Sequence, residues 1–208
     1  MQKLTECILN KTQWSELGLP ELYGTVTVDT TDPVRSNSGN MFAVLLAVTL
    51  NGGETIDINS VDKVLPELKE IFSQLGYMET SSSDLFSQFL RMGAGAKPII
   101  AGYENQLIEY AEEQSESYAK IKDDIVIIYP SPALWSTHIY IALDEEGKAG
   151  IEALSDNEIQ EIAWKKHGFR TDGCDIASAG FSGIPEQINR VIHMPDYETM
   201  KKIIDSLK

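Results

Sequence analysis

The sequence predicts a mixed α/β protein in which strands alternate with helices and pair largely in parallel. Three features carry that expectation. Ile125, Val126, Ile127, Ile128 and Tyr129 form an unbroken apolar run, the pattern of a parallel strand buried on both faces. Val61, Val64, Leu65, Leu68, Ile71, Phe72 and Leu75 recur at helical spacing. Leu22, Tyr23, Val26 and Val28 read as a β-branched and aromatic strand, which a polar loop joins to residues 41–48, apolar on nearly all sides and so a buried helix.

Taken in order, the Gly18-Leu19-Pro20 break precedes that first strand, and Thr30-Thr31-Asp32-Pro33 ends it. Arg35-Ser36-Asn37-Ser38-Gly39-Asn40 is the loop that opens the buried helix. Ser60 suits the N-cap of the helix over residues 61–75, Gly76 suits its left-handed close, and Pro66 is expected to kink it or move its start later. A shorter amphipathic helix runs from Ser83 and Asp84 through Leu85, Phe86, Phe89 and Leu90 to Gly93. After the loop at residues 94–98, Ile99 and Ile100 make a short strand, and Tyr103-Glu104-Asn105-Gln106 starts a helix that runs into the acidic turn at Glu112-Glu113-Gln114. Beyond the Ile125 run, His138-Ile139-Tyr140-Ile141-Ala142-Leu143 is a strand and residues 144–148 a turn. Ser155 with Glu158 reads as a capping box for a helix carrying Ile159, Ile162, Ala163 and Trp164 and closed by Gly168. Residues 171–183 read as an irregular loop, and residues 195–208 as a terminal amphipathic helix.

Composition removes several function classes. The chain has 208 residues, enough for one substantial core or two small lobes, and 42% of them are hydrophobic. Its longest apolar stretch, residues 41–50, is closed by Asn51-Gly52-Gly53 and falls short of the ~18 residues a membrane helix needs. Residues 1–11 have neither a basic head nor a continuous apolar segment, so they do not direct export. The net charge of -15 repels nucleic-acid phosphates and anionic membranes. An anionic ligand would therefore have to be held by local backbone dipoles, inside the screening length of about 8 Å. Cys7 and Cys174 form no framework and no metal-ligand spacing; a single disulfide and two buried thiols are both open.

Few residues offer chemistry. Ser36-Asn37-Ser38-Gly39 lies where a helix presents unpaired N–H groups and a partial positive charge, so these residues suit either a cap or an anion. Tyr103 and Glu104, with Gln106, form a second polar helix entrance after a strand, where ligands sit in open α/β sheets; Glu104 equally suits a helix dipole. His138, His167 and His193 are scattered without ligand spacing, so no metal is expected. Gly180-Phe181-Ser182-Gly183 lacks the spacing of a nucleophile elbow, and no Gly-x-x-x-x-Gly-Lys loop occurs. No catalytic constellation emerges.

Five segments in series carry a resemblance: Trp14-Ser15-Glu16-Leu17; Thr30-Thr31-Asp32-Pro33 with Arg35-Ser36-Asn37-Ser38-Gly39; Gly102-Tyr103-Glu104-Asn105-Gln106; Tyr129-Pro130 with Trp135 and His138; and Gln160-Glu161-Ile162-Ala163-Trp164 with His167-Gly168-Phe169-Arg170. In composition and order they resemble bacterial extracellular solute-binding proteins, over most of the chain from Trp14 to Arg170. The resemblance implies a type II periplasmic-binding-protein-like three-layer α/β sandwich, one lobe complete and the other incomplete. Residues 1–20 would lead into the second lobe, residues 21–124 would build it, and residues 125–208 would return to a remnant of the first, whose opening portion and export segment are missing.

The same resemblance implies binding of a small molecule or oxyanion in the interlobe cleft for an ABC transporter permease, an extracellular or periplasmic location, no cofactor and no enzymatic activity. It places Thr31, Asp32, Ser36, Asn37, Ser38, Gly39, Tyr103 and Glu104 at the ligand, and gives Trp135 and His138 a structural role in the return segment. A surface sensor or interaction domain that kept the fold but not the ligand is the alternative, with a hydrolase using Ser182 or Cys174 behind it. An exposed sheet edge left by the missing portion would favour a homodimer.

Overall fold

Helices dominate the computed structural model, which describes residues 1–171 and 183–208. In chain order these are α1 Gln2–Leu9, a short 3-10 helix Trp14–Leu17, α2 Asn37–Leu50, α3 Val61–Ser73, α4 Ser82–Met92, α5 Glu104–Glu113, α6 Ser115–Ile121, α7 Glu145–Leu154, α8 Asn157–His167 and α9 Tyr197–Ser206. Two short strands, β1 Ala133–Leu134 and β2 Val191–Ile192, pair in parallel with Ala133 beside Val191 and Leu134 beside Ile192. The fold is thus mixed α/β but rich in helix.

The chain divides into two compact units. Unit 1 holds Met1–Gly102, Pro130–Leu134 and Asn189–Lys208; unit 2 holds Tyr103–Tyr129 and Trp135–Ile188. The expected segments 21–124 and 125–208 are each divided between these units.

Unit 1 is built around α2. Its residues Ala43, Val44, Leu46 and Ala47 are fully buried, because a helix apolar on all sides must be covered on all sides. The cover comes from Ile8 of α1, Val61, Leu68 and Ile71 of α3, Ile203 of α9 and the extended residue Val28. Phe42 meets Phe72 edge to face, ring centroids 6.5 Å apart. Pro66 sits inside α3 without ending it, and Gly76 takes the expected left-handed conformation at φ 67°. Around this helical core the expected strands shrink to single bridges. Asp29 pairs in parallel with Ile100, its N–H donating to Ile99 O (2.9 Å) and its C=O accepting from Ala101 N–H (2.8 Å). Thr31 pairs in parallel with Glu79. The segment from Leu22 is not a strand: Gly24 turns it at φ 82° and Tyr23 is fully in solvent, so alternation with buried side chains begins only at Val26.

Unit 2 packs α5 on α8, with Leu107, Ile108, Ala111 and Trp164 buried. Gly168, at φ 68°, closes α8 where a Cβ would lie 2.7 Å from Asn105 Cα. Three sequence expectations change here. Residues 144–148 are not a turn: Asp144 caps α7, its Oδ1 accepting from Gly147 N–H at 2.7 Å. The capping box of Ser155 and Glu158 is replaced by Asp156, whose Oδ1 accepts from Glu158 N–H at 2.8 Å, while Ser155 ends α7 and donates to Ile151 O. The runs at residues 125–129 and 138–143 are not strands, because no neighbouring chain among the described residues bonds to their backbones. Val126 and Ile128 are exposed rather than buried.

Among the described residues no helix is long and apolar enough to cross a membrane, and no group of three His, Cys, Asp or Glu side chains could hold a metal. Cys7 is a half-buried free thiol; Cys174, Ser182 and most of the 171–183 loop lie outside the described residues.

Candidate functional site

Six of the eight ligand residues expected from sequence meet at the entrance of α2, in unit 1. Asp32 makes the turn: its carbonyl accepts from Arg35 N–H and Ser36 N–H, and its Oδ1 accepts from Val34 N–H at 2.8 Å. That turn delivers Ser36, in extended conformation, to the N-cap position of α2. Ser36 nonetheless does not cap. Among the described residues no side chain accepts from the first turn of α2 as a cap.

The Ser36 hydroxyl is engaged sideways. Ser36 Oγ lies 2.9 Å from Ser38 Oγ, which lies 2.6 Å from Thr31 Oγ1, so three hydroxyls form a chain running inward to a fully buried end. Its polarity follows from burial. Thr31 Oγ1 has no other partner among the described residues, and either hydroxyl of each pair can donate; donation from Thr31 to Ser38 and from Ser38 to Ser36 is the arrangement that leaves no buried O–H without an acceptor. The proton left over belongs to Ser36, at the half-buried outer end. In that arrangement the entrance offers the N–H groups of Ser38 and Gly39, uncapped by any side chain among the described residues, and one outward O–H, in a helix end that already favours negative charge.

Gly39 is also required by packing. A Cβ there would lie 2.3 Å from Thr31 O and 2.7 Å from Pro33 N, so on that side the space is filled by the chain's own backbone. Asn37 is exposed on the first turn and its Nδ2 lies 3.5 Å from Met41 Sδ. Asn40 donates to Ser36 O at 3.2 Å, while its Oδ1 is buried without a partner among the described residues.

Tyr103 and Glu104 belong to unit 2. Tyr103 stands at the N-cap of α5, its N–H donating to Gln106 Oε1 at 3.1 Å. Glu104 is held by Arg170, which donates from Nε to Oε1 and from Nη2 to Oε2 (3.0 Å), and by Tyr129, whose hydroxyl donates to Oε2 at 2.5 Å. Arg170 also donates to Pro185 O and Glu186 O, and its guanidinium lies 5.7 Å from the Trp135 ring and 6.0 Å from the Trp164 ring. Burial alone would lower the Arg170 pKa, but the Glu104 pair outweighs it and the net shift is upward. Burial, then the bond to Glu104, raises the Tyr129 phenol above its ordinary value. With its charge matched and both oxygens engaged, Glu104 is a tie between the start of α5, residue 129, the end of α8 and residues 185–186.

Sequence reasoning picked out Tyr129, Trp135, Trp164 and Arg170 as parts of family-like segments but gave them no joint role. The signal was there: one arginine and three aromatics around a helix that starts with Glu104. A depression of about 530 Å³, lined by Gln13, Ser15, Pro20, Glu21, Leu22, Tyr23 and Gly24, contains none of the expected site residues.

Fold and site together define a helix-rich mixed α/β protein with a hydroxyl-lined helix entrance in one unit and a charge-matched tie in the other. No protein-family model, curated protein or solved structure matches the chain.

Proposed function

We propose that the chain is a non-enzymatic binding module for a small solute, held at the entrance of α2. The observation that carries this reading is the Ser36-Ser38-Thr31 hydroxyl chain: it draws Ser36 away from capping and leaves the N–H groups of Ser38 and Gly39 beside an outward Ser36 hydroxyl. A ligand that fits presents one oxygen acceptor to two N–H groups and a hydroxyl, as a carboxylate, an oxyanion or a sugar does. The overall charge of -15 gives no long-range attraction for an anion, so recognition rests on these short-range dipoles. In the finer form of the reading, the chain is a type II periplasmic-binding-protein-like sandwich that delivers its solute to an ABC transporter permease outside the cytoplasm; the serial family-like segments support it.

Melting curves recorded with oxyanions, sugars and amino acids test the reading. One class should raise the melting temperature saturably, since a ligand at a hundredfold over its Kd adds about 2.7 kcal/mol. Ser36→Ala should remove that response; because it also takes the acceptor from the buried Ser38 hydroxyl, the unliganded protein should lose about 1 kcal/mol, and the response is read against that lowered baseline. A response of equal size in Ser36→Ala, or no response to any class, overturns it.

A further inference from the structure

We propose that a second copy of this chain seats against residues 137–143, forming a two-fold dimer. The longest stretch of the sequence without a charged side chain lies between Asp124 and Asp144. Such stretches belong inside a protein, yet this one is largely at the surface of unit 2. Its second half is apolar on both sides. On one side Tyr140 donates to Gly147 O at 3.1 Å, and His138 packs edge to face on Phe169 at 5.1 Å. On the other, Ile139, Ile141 and Leu143 are 78%, 72% and 92% exposed at alternating positions. The first half repeats the theme, with Val126 80% and Ile128 75% exposed between half-buried neighbours.

Residues 137–143 also make no backbone–backbone hydrogen bond among the described residues, none of which satisfies the row of donors and acceptors beside the apolar stripe. Ile139, Ile141 and Leu143 at that exposure put three large branched side chains in water within five residues, an apolar stripe of the kind that marks an interaction site.

The stripe is complementary to itself. Antiparallel pairing about a two-fold axis through Ile141 sets Ile139 against the partner's Leu143 and Ile141 against its own counterpart, which only a second copy can do. The same register sets Asp144 against the partner's His138, so the acidic cluster at Asp144, Glu145 and Glu146 does not face its own copy. The residual repulsion between two chains of charge -15 is then long-range and screened by salt. This inference is independent of the solute-binding reading.

Sedimentation velocity on the whole chain, from micromolar to hundreds of micromolar, tests it. The expected result is a concentration-dependent shift from one to two chain masses, with tighter association in high salt. Ile139→Glu with Ile141→Glu should raise the dimer Kd at least tenfold with an unchanged far-ultraviolet spectrum; Tyr77→Glu, at an exposed site in unit 1, should not. A monomer at every concentration, aggregates of no fixed stoichiometry, or a dimer that survives the double variant overturns the proposal.

Discussion

Two long stretches of this chain lack charged side chains, residues 36–53 and residues 125–143, and they meet opposite fates. The first becomes α2, a helix whose own backbone satisfies its polar groups and whose apolar sides are covered all round by α1, α3 and α9. The second forms no helix and, apart from Ala133–Leu134, no strand, with Val126, Ile128, Ile139, Ile141 and Leu143 in solvent. A helix completes its hydrogen bonds locally, whereas an extended segment must find them in a neighbour. Apolar sequence therefore suffices to bury α2, whereas in residues 125–143 only Ala133 and Leu134 find a strand among the described residues, and residues 125–129 and 138–143 do not.

The comparison is most sharply tested by deleting methyl groups in each stretch. Leu46→Ala, at a fully buried site in α2, should destabilise unit 1 by about 3 kcal/mol, read from chemical denaturation. Val126→Ala should change monomer stability by less than about 0.5 kcal/mol, since its side chain is already in water. Equal costs at the two sites would mean that residues 125–129 are covered in solution.

Next in size is Gly39→Ala. A Cβ 2.3 Å from Thr31 O forces α2 away from residues 31–33, at a cost of about 2 kcal/mol, and should stretch the Thr31–Ser38 contact. Stability near wild type would show that α2 is not seated so closely.

The smallest effect belongs to unit 2 and shows itself through pH. The folded-state pKa of Tyr129 is raised above 10.0, so the folded state keeps a proton that the unfolded state gives up, and this contribution is present below the unfolded value and lost as pH rises through the folded one. Tyr129→Phe should cost about 1 kcal/mol at neutral pH, through the lost bond to Glu104, and should flatten the decline of stability above pH ~10. Parallel alkaline declines in the two proteins would place the shift elsewhere.

The parts legible in the sequence were those fixed by local periodicity. The helices around Val61, Leu68 and Ile71, around Leu85 and Phe89, and around Met200 and Ile203 stand where their apolar spacing puts them. Gly168 closes α8 in the left-handed conformation that glycine favours; Gly76 is left-handed too, but α3 is already closed at Gln74. What was less legible depends on partners distant in sequence. Ile125 to Tyr129 has the composition of a doubly covered strand, yet pairing is a property of neighbours. Ser155 and Asp156 are both good caps, and only the position at which α7 ends selects Asp156. At the candidate site, the sequence pointed to Ser36 and Ser38 but not to the hydroxyl chain through Thr31, and it did not show that packing against Thr31 and Pro33 also requires glycine at position 39. Glu104 read as a ligand residue or a partner of the α5 dipole, because Arg170 is far from it along the chain.

The most direct test of the proposed function is to follow the backbone amide resonances of Ser38 and Gly39 by NMR while titrating each solute that raises the melting temperature. The account predicts that these two resonances move saturably with one such solute, and that Ser36→Ala weakens the response. Shifts confined to other residues, or none at saturating solute, would contradict it.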